Sequence, residues 1–391
     1  MERSGARFGR KKPEARREKN FPMIETAPGA STPVTPLALL LASSARAHEL
    51  NNYRGAMTPR ELDAPERETA ALVESAAVHD LGWMKRVAVR GEDRFRWLSG
   101  MVTNMVNELG ENTGAWNLVL NAQGRIQGDL TVWREKDSLE LEIAADQYER
   151  LMAHLERFII MDDVELVPLN GEAAGMASAE AVLGLTGPQA GEMLGRAGLP
   201  ELAEPLTSTR VEWYGFDLRV TRGYGVLGAH YSLWVPLAGL EKLWKFLLTA
   251  GATPVGSARV EAFRVAEGIP LHGVDMAEKD LPQETSQTRA LHFSKGCYLG
   301  QEIVERIRSR GNVHRHLRQL ELFGPAPARG TELTLDGGAV AGRITSAAGL
   351  ALAAGSRVYG LGMIRAEAEV GWQTFSYSDG SHAGTARILG S

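Results

Sequence analysis

The sequence contains a single cysteine, Cys297, among 391 residues. One thiol cannot form a disulfide within the chain, and one protomer cannot supply the several thiolates that normally hold an iron–sulfur cluster. Any chemistry of this thiol therefore depends on one reactive group. The scarcity of cysteine also suits a reducing compartment, so we expect a cytoplasmic protein.

Long apolar runs and an excess of basic residues are also missing. No stretch approaches the roughly 20 apolar residues that a helix needs to cross a bilayer, so we expect no membrane association. Residues 37–47 imitate a secretory leader, but the apolar run is short and far from the basic start. The net charge of -5 argues against direct nucleic-acid binding, for which a basic domain is expected.

Signatures of metal and nucleotide binding are equally scarce. The nine histidines form no H-E-x-x-H pattern and the single cysteine allows no C-x-x-C pattern, so we predict no protein-bound metal. Residues 223–228 spell G-x-G-x-x-G, but the residues that follow alternate like a strand. Because the dinucleotide fingerprint opens a helix, a β-hairpin turn is the preferred interpretation.

Length and composition indicate a large core and two or three domains, since 44% of the residues are hydrophobic. Residues 1–50 are predicted to be a basic, low-complexity tail without fixed structure, or an over-extended start with Met23 or Met57 as alternatives. Residues 51–312 alternate strand and helix patterns, which predicts an α+β layer. Residues 313–391 contain short β runs between Gly and Ala turns, which predicts a small β-barrel.

Periodicity places the main elements of the α+β region. Apolar spacing predicts helices over residues 66–79, 147–158, 240–248 and 257–266. Alternation and turn residues predict strands over residues 86–90, 116–121, 124–133, 139–144, 164–168 and 181–185.

The single cysteine lies in the octet K-G-C-Y-L-G-Q-E, residues 295–302. Lys295 would favour the thiolate of Cys297, and Gly296 and Gly300 let backbone pass close to a ligand. The alternative is a buried cysteine that acts as a small hydrophobe. The octet is the signature of the YgfZ family of folate-binding proteins, which resemble the T-protein, the aminomethyltransferase of the glycine cleavage system.

The resemblance covers roughly residues 75–312, and the G-R-I-T-S stretch at residues 342–346 agrees with it. It implies an aminomethyltransferase-like folate-binding fold of the α+β class, with two intertwined α+β subdomains and a C-terminal β-barrel. It also implies tetrahydrofolate, or a one-carbon derivative, as the cofactor. The residues that the resemblance assigns to cofactor binding are Asp129, Tyr224, Arg264, Gln301 and Arg306.

Asp129 falls where the aminomethyltransferases place a carboxylate that meets the folate. A pterin edge presents an amino group and a ring N–H side by side, and a carboxylate accepts both. The alternative is an aspartate that caps a turn after Gly128. Arg306 belongs to a basic segment that suits the carboxylates of a glutamyl tail, or else forms a solvated charged face.

One stretch departs from the aminomethyltransferases. Their G-Y-T-G-E run corresponds to residues 223–227 here, with Leu227 where the acid should be. The loss argues against aminomethyl transfer, although Tyr224 can still pack on a flat ring.

The resemblance therefore implies a tetrahydrofolate-binding protein that supports assembly or repair of iron–sulfur enzymes, including those that modify tRNA. Cys297 is the expected functional thiol, with Lys295 as the group that activates it. Two alternatives stay open: a folate-dependent aminomethyl or one-carbon transferase, and a non-catalytic adaptor that docks on iron–sulfur client enzymes.

Overall fold

The computed structural model describes residues 32–43, 48–171, 179–311, 313–352, 355–369 and 374–390. Pro33–Ser391 forms one compact unit. The helices are α1 (Pro36–Ala42), α2 (Pro65–Glu74), α3 (Arg94–Met101), α4 (Ala145–Glu156), α5 (Ala190–Arg196), α6 (Leu240–Ala250), α7 (Ser257–Glu267) and α8 (Gln301–Arg310).

The strands belong to one hairpin, two larger sheets and a barrel. They are β1 (Leu50–Tyr53), β2 (Ala56–Pro59), β3 (Ala77–Asp80), β4 (Met84–Arg90), β5 (Gly114–Leu120), β6 (Ile126–Arg134), β7 (Leu139–Ala144), β8 (Glu165–Pro168), β9 (Glu180–Gly187), β10 (Thr207–Trp213), β11 (Phe216–Arg222), β12 (Ala229–Pro236), β13 (Thr253–Val255), β14 (Arg315–Phe323), β15 (Glu332–Thr334), β16 (Val340–Leu352), β17 (Gly355–Arg365), β18 (Thr374–Ser378) and β19 (Ala383–Ile388).

The first large sheet is antiparallel, in the order β5-β6-β7-β4-β8. Helices α3 and α4 supply apolar side chains to the same core as its strands, with Leu98, Val132 and Leu151 fully buried. Along β6, buried and half-buried residues alternate from Ile126 to Val132. Because side chains of a strand point alternately to its two faces, Asp129 lies on the face opposite the buried Leu130.

The second large sheet has the order β10-β11-β12-β9-β3-β13. Its chain path is interrupted, because β3 belongs to it, β4 to β8 build the first sheet, and β9 then returns beside β3. The two predicted subdomains are therefore intertwined. Residues 223–228 form the turn between the antiparallel strands β11 and β12, which confirms the hairpin interpretation and excludes the dinucleotide one.

Buried ion pairs join the two sheets. Arg86 on β4 donates hydrogen bonds to Glu140 on β7 and to Glu180 on β9, and its side chain is only 1% exposed. Its guanidinium also lies over the ring of Trp234 on β12, 4.8 Å from the centroid. Breaking such a pair leaves an uncompensated buried charge, so these contacts fix how the sheets face each other.

The C-terminal strands close into a barrel in the order β14-β17-β16-β15-β18-β19, with β19 pairing back to β14. Closure removes the unpaired edges that an open sheet of this size would expose. Its interior is filled by apolar side chains such as Leu320, Leu333 and Phe375. The predicted small barrel is confirmed.

One predicted helix ends early. The apolar spacing predicted one helix over residues 66–79, but the observed helix α2 ends at Glu74. Ala77–Asp80 form the fully buried strand β3 instead. A short apolar run fits a buried strand and a buried helix equally well, so periodicity alone could not separate them. Its pairing with β9 and β13 decided the outcome.

Part of the predicted tail packs on the core. Pro36–Ala42 form α1, and Leu37 is 1% exposed within the core of the second sheet. The hydroxyl of Thr35 accepts a hydrogen bond from the Ala38 N–H and donates one to Asp80. The prediction of a tail without fixed structure is therefore wrong for residues 32–43 and 48–50, while residues 1–31 and 44–47 lie outside the described residues.

Within the described parts of the chain, no helix is long and apolar enough to cross a membrane.

Candidate functional site

Asp129 on β6 is held in a fixed orientation by two donors. The indole Nε1 of Trp116 donates to Oδ2 at 3.1 Å, and the amide Nε2 of Gln147 donates to Oδ1 at 3.1 Å. The same Gln147 accepts the backbone N–H of Asp129 at 3.0 Å, so its buried carboxamide binds the residue twice. Trp116 lies on β5, two residues from Leu118, which pairs with Asp129 in the ladder.

This arrangement leaves the carboxylate able to accept more hydrogen bonds. An ionised carboxylate offers about four lone-pair positions, two on each oxygen. Trp116 and Gln147 occupy one position on each oxygen, and Asp129 is half-buried rather than enclosed. One acceptor position on each oxygen therefore remains for a ligand with two adjacent donors, such as the edge of a pterin.

His272 lies near the Asp129 carboxylate and is hydrogen-bonded to Arg150. Arg150 on α4 donates to Nδ1 of His272 at 3.0 Å and also pairs with Glu278. An arginine can only donate, so Nδ1 of His272 is the accepting nitrogen. Burial lowers the pKa of His272, with the nearby Asp129 acting in the opposite direction. Burial therefore favours the neutral form of this imidazole.

Tyr224 and Trp116 share one cationic neighbour. The guanidinium of Arg289 lies over the Tyr224 ring, 4.7 Å from its centroid, and over the Trp116 ring at 5.7 Å. Trp116 in turn bonds to Asp129, so the structure brings Asp129 and Tyr224 to the same site. The site thus combines a carboxylate, two aromatic rings and an exposed cation.

Lys295 is built into the structure beside this site. Its buried ammonium donates to the carbonyls of Ser99 at 2.8 Å, Val102 at 2.6 Å and Asn104 at 2.7 Å, at the C-terminal end of α3. Burial lowers its pKa to about 7. All three N–H donors point to backbone carbonyls, so Lys295 fixes the loop that carries Cys297 instead of presenting a free charge to the thiol.

Asn104 connects this loop to the aromatic pair. Its carboxamide Nδ2 donates to the carbonyl of Trp116 at 3.0 Å and to the carbonyl of Arg289 at 2.9 Å. The backbone carbonyl of Asn104 accepts a hydrogen bond from the Lys295 ammonium. One hydrogen-bonded path therefore runs from the octet through Asn104 to the residues around Asp129.

The turn that carries Tyr224 is bound by an acid from α7. The fully buried carboxylate of Glu267 accepts the backbone N–H groups of Val226 at 2.8 Å and Leu227 at 2.9 Å. It also accepts from Nε2 of His230 at 2.6 Å. The sequence placed no acid at this turn, and the fold supplies one from an α-helix.

His230 links Glu267 to Thr186 on strand β9 of the second sheet. Because Glu267 accepts from Nε2, the other ring nitrogen of a neutral His230 accepts from the hydroxyl of Thr186, 3.3 Å away. That hydroxyl then accepts from Nε2 of His79 at 3.0 Å. A Cβ on Gly184 would lie 2.1 Å from the His79 ring, so only glycine leaves room for this chain of donors. Burial lowers the pKa of His79 to about 3.

Cys297 is exposed in the loop before α8. The octet is held by Gly300, whose φ of 83° lies in the left-handed region and whose added Cβ would lie 2.6 Å from the Asn121 carbonyl. The Leu299 N–H donates to the Gly100 carbonyl at 2.9 Å, which ties the loop to α3. The alternative of a buried, hydrophobic cysteine is therefore wrong.

Among the described residues, none of the other predicted site residues bonds to Asp129, and the donors of Arg264 are fully engaged. Every N–H of Arg264 is occupied, by Glu261, Asp275, the Ile269 carbonyl and Ser346 of the barrel. Arg264 thus joins α7 to the barrel and has no free donor for a ligand. Gln301 accepts the backbone N–H of Tyr298 at 3.3 Å, and Arg306 is exposed on α8.

Trp116, Gln147, Arg289 and Glu267 are site residues that the sequence did not reveal. Trp116 lies on the same face of the sheet as Asp129, which the alternation of β5 and β6 could have indicated. The contacts of Gln147, Arg289 and Glu267 link separate elements, and no local pattern marks them. Within the described ranges, no group of three or more His, Cys, Asp or Glu side chains is arranged to hold a metal ion.

The fold and site define an α+β protein with the architecture of the glycine cleavage T-protein. The GCVT N-terminal domain model matches residues 41–295. The match covers well over half of the chain, so this chain belongs to the GCVT family.

Similar proteins agree with this assignment. The chain is 29% identical over 335 residues to an aminomethyltransferase of Rubrobacter xylanophilus, covering 83% of this chain and 85% of that protein. It is 26% identical over 312 residues to a chloroplastic protein of Arabidopsis thaliana described only as a transferase, covering 78% of this chain and 69% of that protein.

A solved structure shows the same fold. The crystal structure of the glycine cleavage system aminomethyltransferase T from Bartonella henselae superimposes with a TM-score of 0.80 and covers 92% of this chain and 97% of that chain. At 20% identity this likeness defines the fold alone.

Proposed function

We propose that this chain is a tetrahydrofolate-binding protein of the YgfZ branch of the GCVT family. Its proposed role is to support the assembly or repair of iron–sulfur enzymes, including tRNA-modifying ones, in the cytoplasm. Tetrahydrofolate or a one-carbon derivative is the proposed ligand, and Cys297 is the proposed functional thiol.

The observation that carries the folate assignment is the geometry of Asp129. Trp116 and Gln147 orient its carboxylate and leave one acceptor position free on each oxygen. The amino group and ring N–H of a pterin need two neighbouring acceptors of this kind. Tyr224 and Trp116 add flat apolar surface near the same carboxylate, which favours a ring ligand.

The residues of this chain would bind and orient the ligand. Asp129 accepts the two pterin donors, Trp116 and Gln147 keep its oxygens in place, and Tyr224 covers the ring. When bound, tetrahydrofolate supplies nitrogen atoms that can carry a one-carbon unit. The exposed thiol of Cys297 is presented by a loop that Lys295 and Asn104 connect to this site.

The thiol is the part of the site that suits iron–sulfur chemistry. A thiolate is a soft nucleophile and a soft ligand, and Cys297 is the only cysteine of the chain. The iron–sulfur client proteins are therefore proposed as partners that meet the exposed octet. A single thiol is too few to hold a cluster, so the cluster stays on the client.

Aminomethyl transfer is the second candidate. The relatives named above as aminomethyltransferases favour it, and Glu267 brings a carboxylate to the turn that carries Leu227. Against it stands the side chain of Leu227 itself, which is apolar and exposed. A third candidate, a non-catalytic adaptor, would need neither the carboxylate nor the thiol.

Isothermal titration of tetrahydrofolate into the wild type, Asp129→Ala and Cys297→Ser tests the proposal. We expect binding by the wild type and Cys297→Ser and a loss with Asp129→Ala. In cells that lack the endogenous protein, Cys297→Ser should fail to restore iron–sulfur enzyme activity. Full restoration by Cys297→Ser would leave the adaptor, and folate-dependent methylene transfer from an aminomethyl donor would establish the transferase.

A further inference from the structure

Arg289 contacts two aromatic rings of the candidate site, those of Tyr224 and Trp116. Its guanidinium lies 4.7 Å from the centroid of Tyr224 and 5.7 Å from the centroid of Trp116. It lies within the short 3-10 turn Thr288–Ala290 and is exposed to solvent. Neither the proposed function nor the sequence patterns gave this residue a role.

The backbone at Arg289 is fixed although its side chain is exposed. Asn104 donates through one carboxamide nitrogen to the carbonyls of Arg289 and Trp116, at 2.9 and 3.0 Å. The neighbouring Ala290 carbonyl accepts from the Thr103 hydroxyl at 2.6 Å. The guanidinium is therefore attached to a rigid support at a set distance from Trp116.

The charge of Arg289 is not matched by an acid. Among the described residues, its guanidinium makes ring contacts but no hydrogen bond and no ion pair. Arg86 and Arg264, by contrast, each form ion pairs with two carboxylates. Arg289 keeps five N–H donors available beside the two rings, in the planar arrangement that matches a carboxylate.

We propose that Arg289 is a specificity-determining residue that receives a carboxylate of the folate ligand. The inference rests on the proposed function, because it assumes that a pterin occupies the acceptor positions of Asp129. Tetrahydrofolate carries its carboxylates on the glutamyl end, away from the pterin ring. The Arg289 guanidinium covers one face of the Tyr224 ring. A pterin ring that stacks on this face displaces the guanidinium away from the pterin and toward the glutamyl end of the ligand.

The relative strengths of the two contacts favour this exchange. An exposed cation–ring contact corresponds to about two- to fivefold in an equilibrium constant. A charge-assisted, two-pronged arginine–carboxylate pair corresponds to about ten- to hundredfold. A ligand carboxylate therefore competes successfully with the rings for the guanidinium.

The test compares two ligands that share the pterin and differ in the tail. Tetrahydrofolate and 6-methyltetrahydropterin, which has no glutamyl group, are titrated calorimetrically into the wild type, Arg289→Ala and Arg289→Lys. We expect Arg289→Ala to weaken tetrahydrofolate about tenfold or more and to leave 6-methyltetrahydropterin unchanged or slightly tighter. Arg289→Lys should fall between, because lysine keeps the charge and loses the planar fork.

Two further variants control the comparison. Arg196→Ala removes the same charge from the exposed surface of α5 and should bind both ligands as the wild type does. Arg306→Ala tests the arginine that the sequence assigned to the tail. A selective loss of tetrahydrofolate with Arg306→Ala and not with Arg289→Ala would overturn the inference.

The remaining outcomes are also decisive. Equal weakening of both ligands by Arg289→Ala would make the residue a support for the rings and overturn the carboxylate role. If Arg289→Ala changed the affinity for neither ligand, the carboxylate role would also be overturned. This is the result expected if Arg289 bound the carboxylate of a separate substrate. If the wild type bound neither ligand, the proposed folate site itself would be refuted. This outcome is distinguishable from equal weakening of both ligands by Arg289→Ala, because in that case the wild type still binds.

Discussion

The carboxylate of Glu267 accepts the backbone N–H of Leu227 at 2.9 Å, so an acid from α7 is bound to a turn that has none of its own. The same carboxylate accepts the Val226 N–H and Nε2 of His230. Three donors converge on one buried acid, and the turn carries Tyr224. The position of that ring therefore depends on an acid that lies 40 positions beyond Leu227 in the chain.

We expect Glu267→Gln to loosen the turn. The amide keeps the shape of the side chain but loses the charge and one acceptor, and hydrogen bonds to charged groups are the stronger ones. The free energy of unfolding should fall by about 1–3 kcal/mol. Amide hydrogen exchange at residues 225–228 should become faster while exchange in β6 stays the same. Unchanged exchange in the turn would show that Glu267 does not hold it.

Asp129→Ala should weaken tetrahydrofolate binding about tenfold or more, which corresponds to about 1.5–3 kcal/mol for a lost charge-assisted contact. Asp129→Asn should be nearly as weak, because an asparagine presents only one acceptor atom to two donors. Asp137→Ala, in the exposed turn between β6 and β7, is the matched control. Titration calorimetry measures all three, and wild-type affinity in a folded Asp129→Ala would remove this residue from the site.

Lys295→Met should destabilise the fold by about 2–4 kcal/mol. The substitution leaves the carbonyls of Ser99, Val102 and Asn104 without their common donor. Urea unfolding measures the loss, with the exposed Lys242→Met as the control. The rate of Cys297 alkylation as a function of pH gives the second measurement. A displaced pH profile without loss of stability would restore the electrostatic role that the sequence suggested for Lys295.

Removing residues 32–50 should destabilise the protein, whereas removing residues 1–31 should not. The first deletion exposes apolar surface that Leu37 covers and removes the hydroxyl that binds Asp80. Burial of one leucine side chain alone corresponds to about 1.5–3 kcal/mol. Thermal unfolding of chains that begin at Thr32 and at Asn51 makes the comparison. Equal melting temperatures would show that α1 contributes nothing to the core.

The stability of the protein should depend on His79 in mildly acidic solution. Burial lowers the pKa of His79 to about 3, from its ordinary 6.5. Between these values the unfolded chain binds a proton at His79 that the folded chain does not. The free energy of unfolding therefore falls as pH falls from 6.5 toward 3, by up to about 1.4 kcal/mol per pH unit from this residue.

His79→Asn should flatten this dependence, although it costs stability at pH 7.5 by disturbing the contact with Thr186. Urea unfolding at several pH values between 4.5 and 7.5 measures the slope. His382→Asn, at an exposed position of the barrel, should leave the slope unchanged. A slope in His79→Asn equal to that of the wild type would mean that His79 binds its proton as readily in the folded chain as in the unfolded chain.

Most elements of the first sheet and the barrel could be predicted because their patterns are local. Strands β4 to β7 alternate with turn residues between them, and the predicted ranges agree with the structure to within a few residues. Strand β3 was missed because a fully buried strand has no alternation. Strand β10 was also not predicted, and it is recognisable from its pairing with β11.

In the candidate site, too, some features were predictable from the sequence and others were not. Asp129 and Tyr224 were found by resemblance, and the structure brings them together. Arg264 and Lys295 were also selected from motifs, but their donors are occupied by groups that include the Ser346 hydroxyl and the Ser99 and Val102 carbonyls, from distant parts of the chain. A sequence motif specifies the residue type, and it does not specify which groups the fold places around it.

The sequence alone indicated the GCVT-like family, the α+β architecture with its barrel, the single thiol and the candidate carboxylate, because each leaves a trace in composition, period or motif. Only the tertiary structure decided that Trp116 and Gln147 orient Asp129 and that Glu267 supports the Tyr224 turn. It also decided that Arg289 keeps its donors free of hydrogen bonds to the described residues. These contacts join residues as far apart as Asn104 and Arg289, 185 positions in the chain. They depend on how the sheets and loops pack, and packing between distant elements leaves no periodic pattern in a sequence.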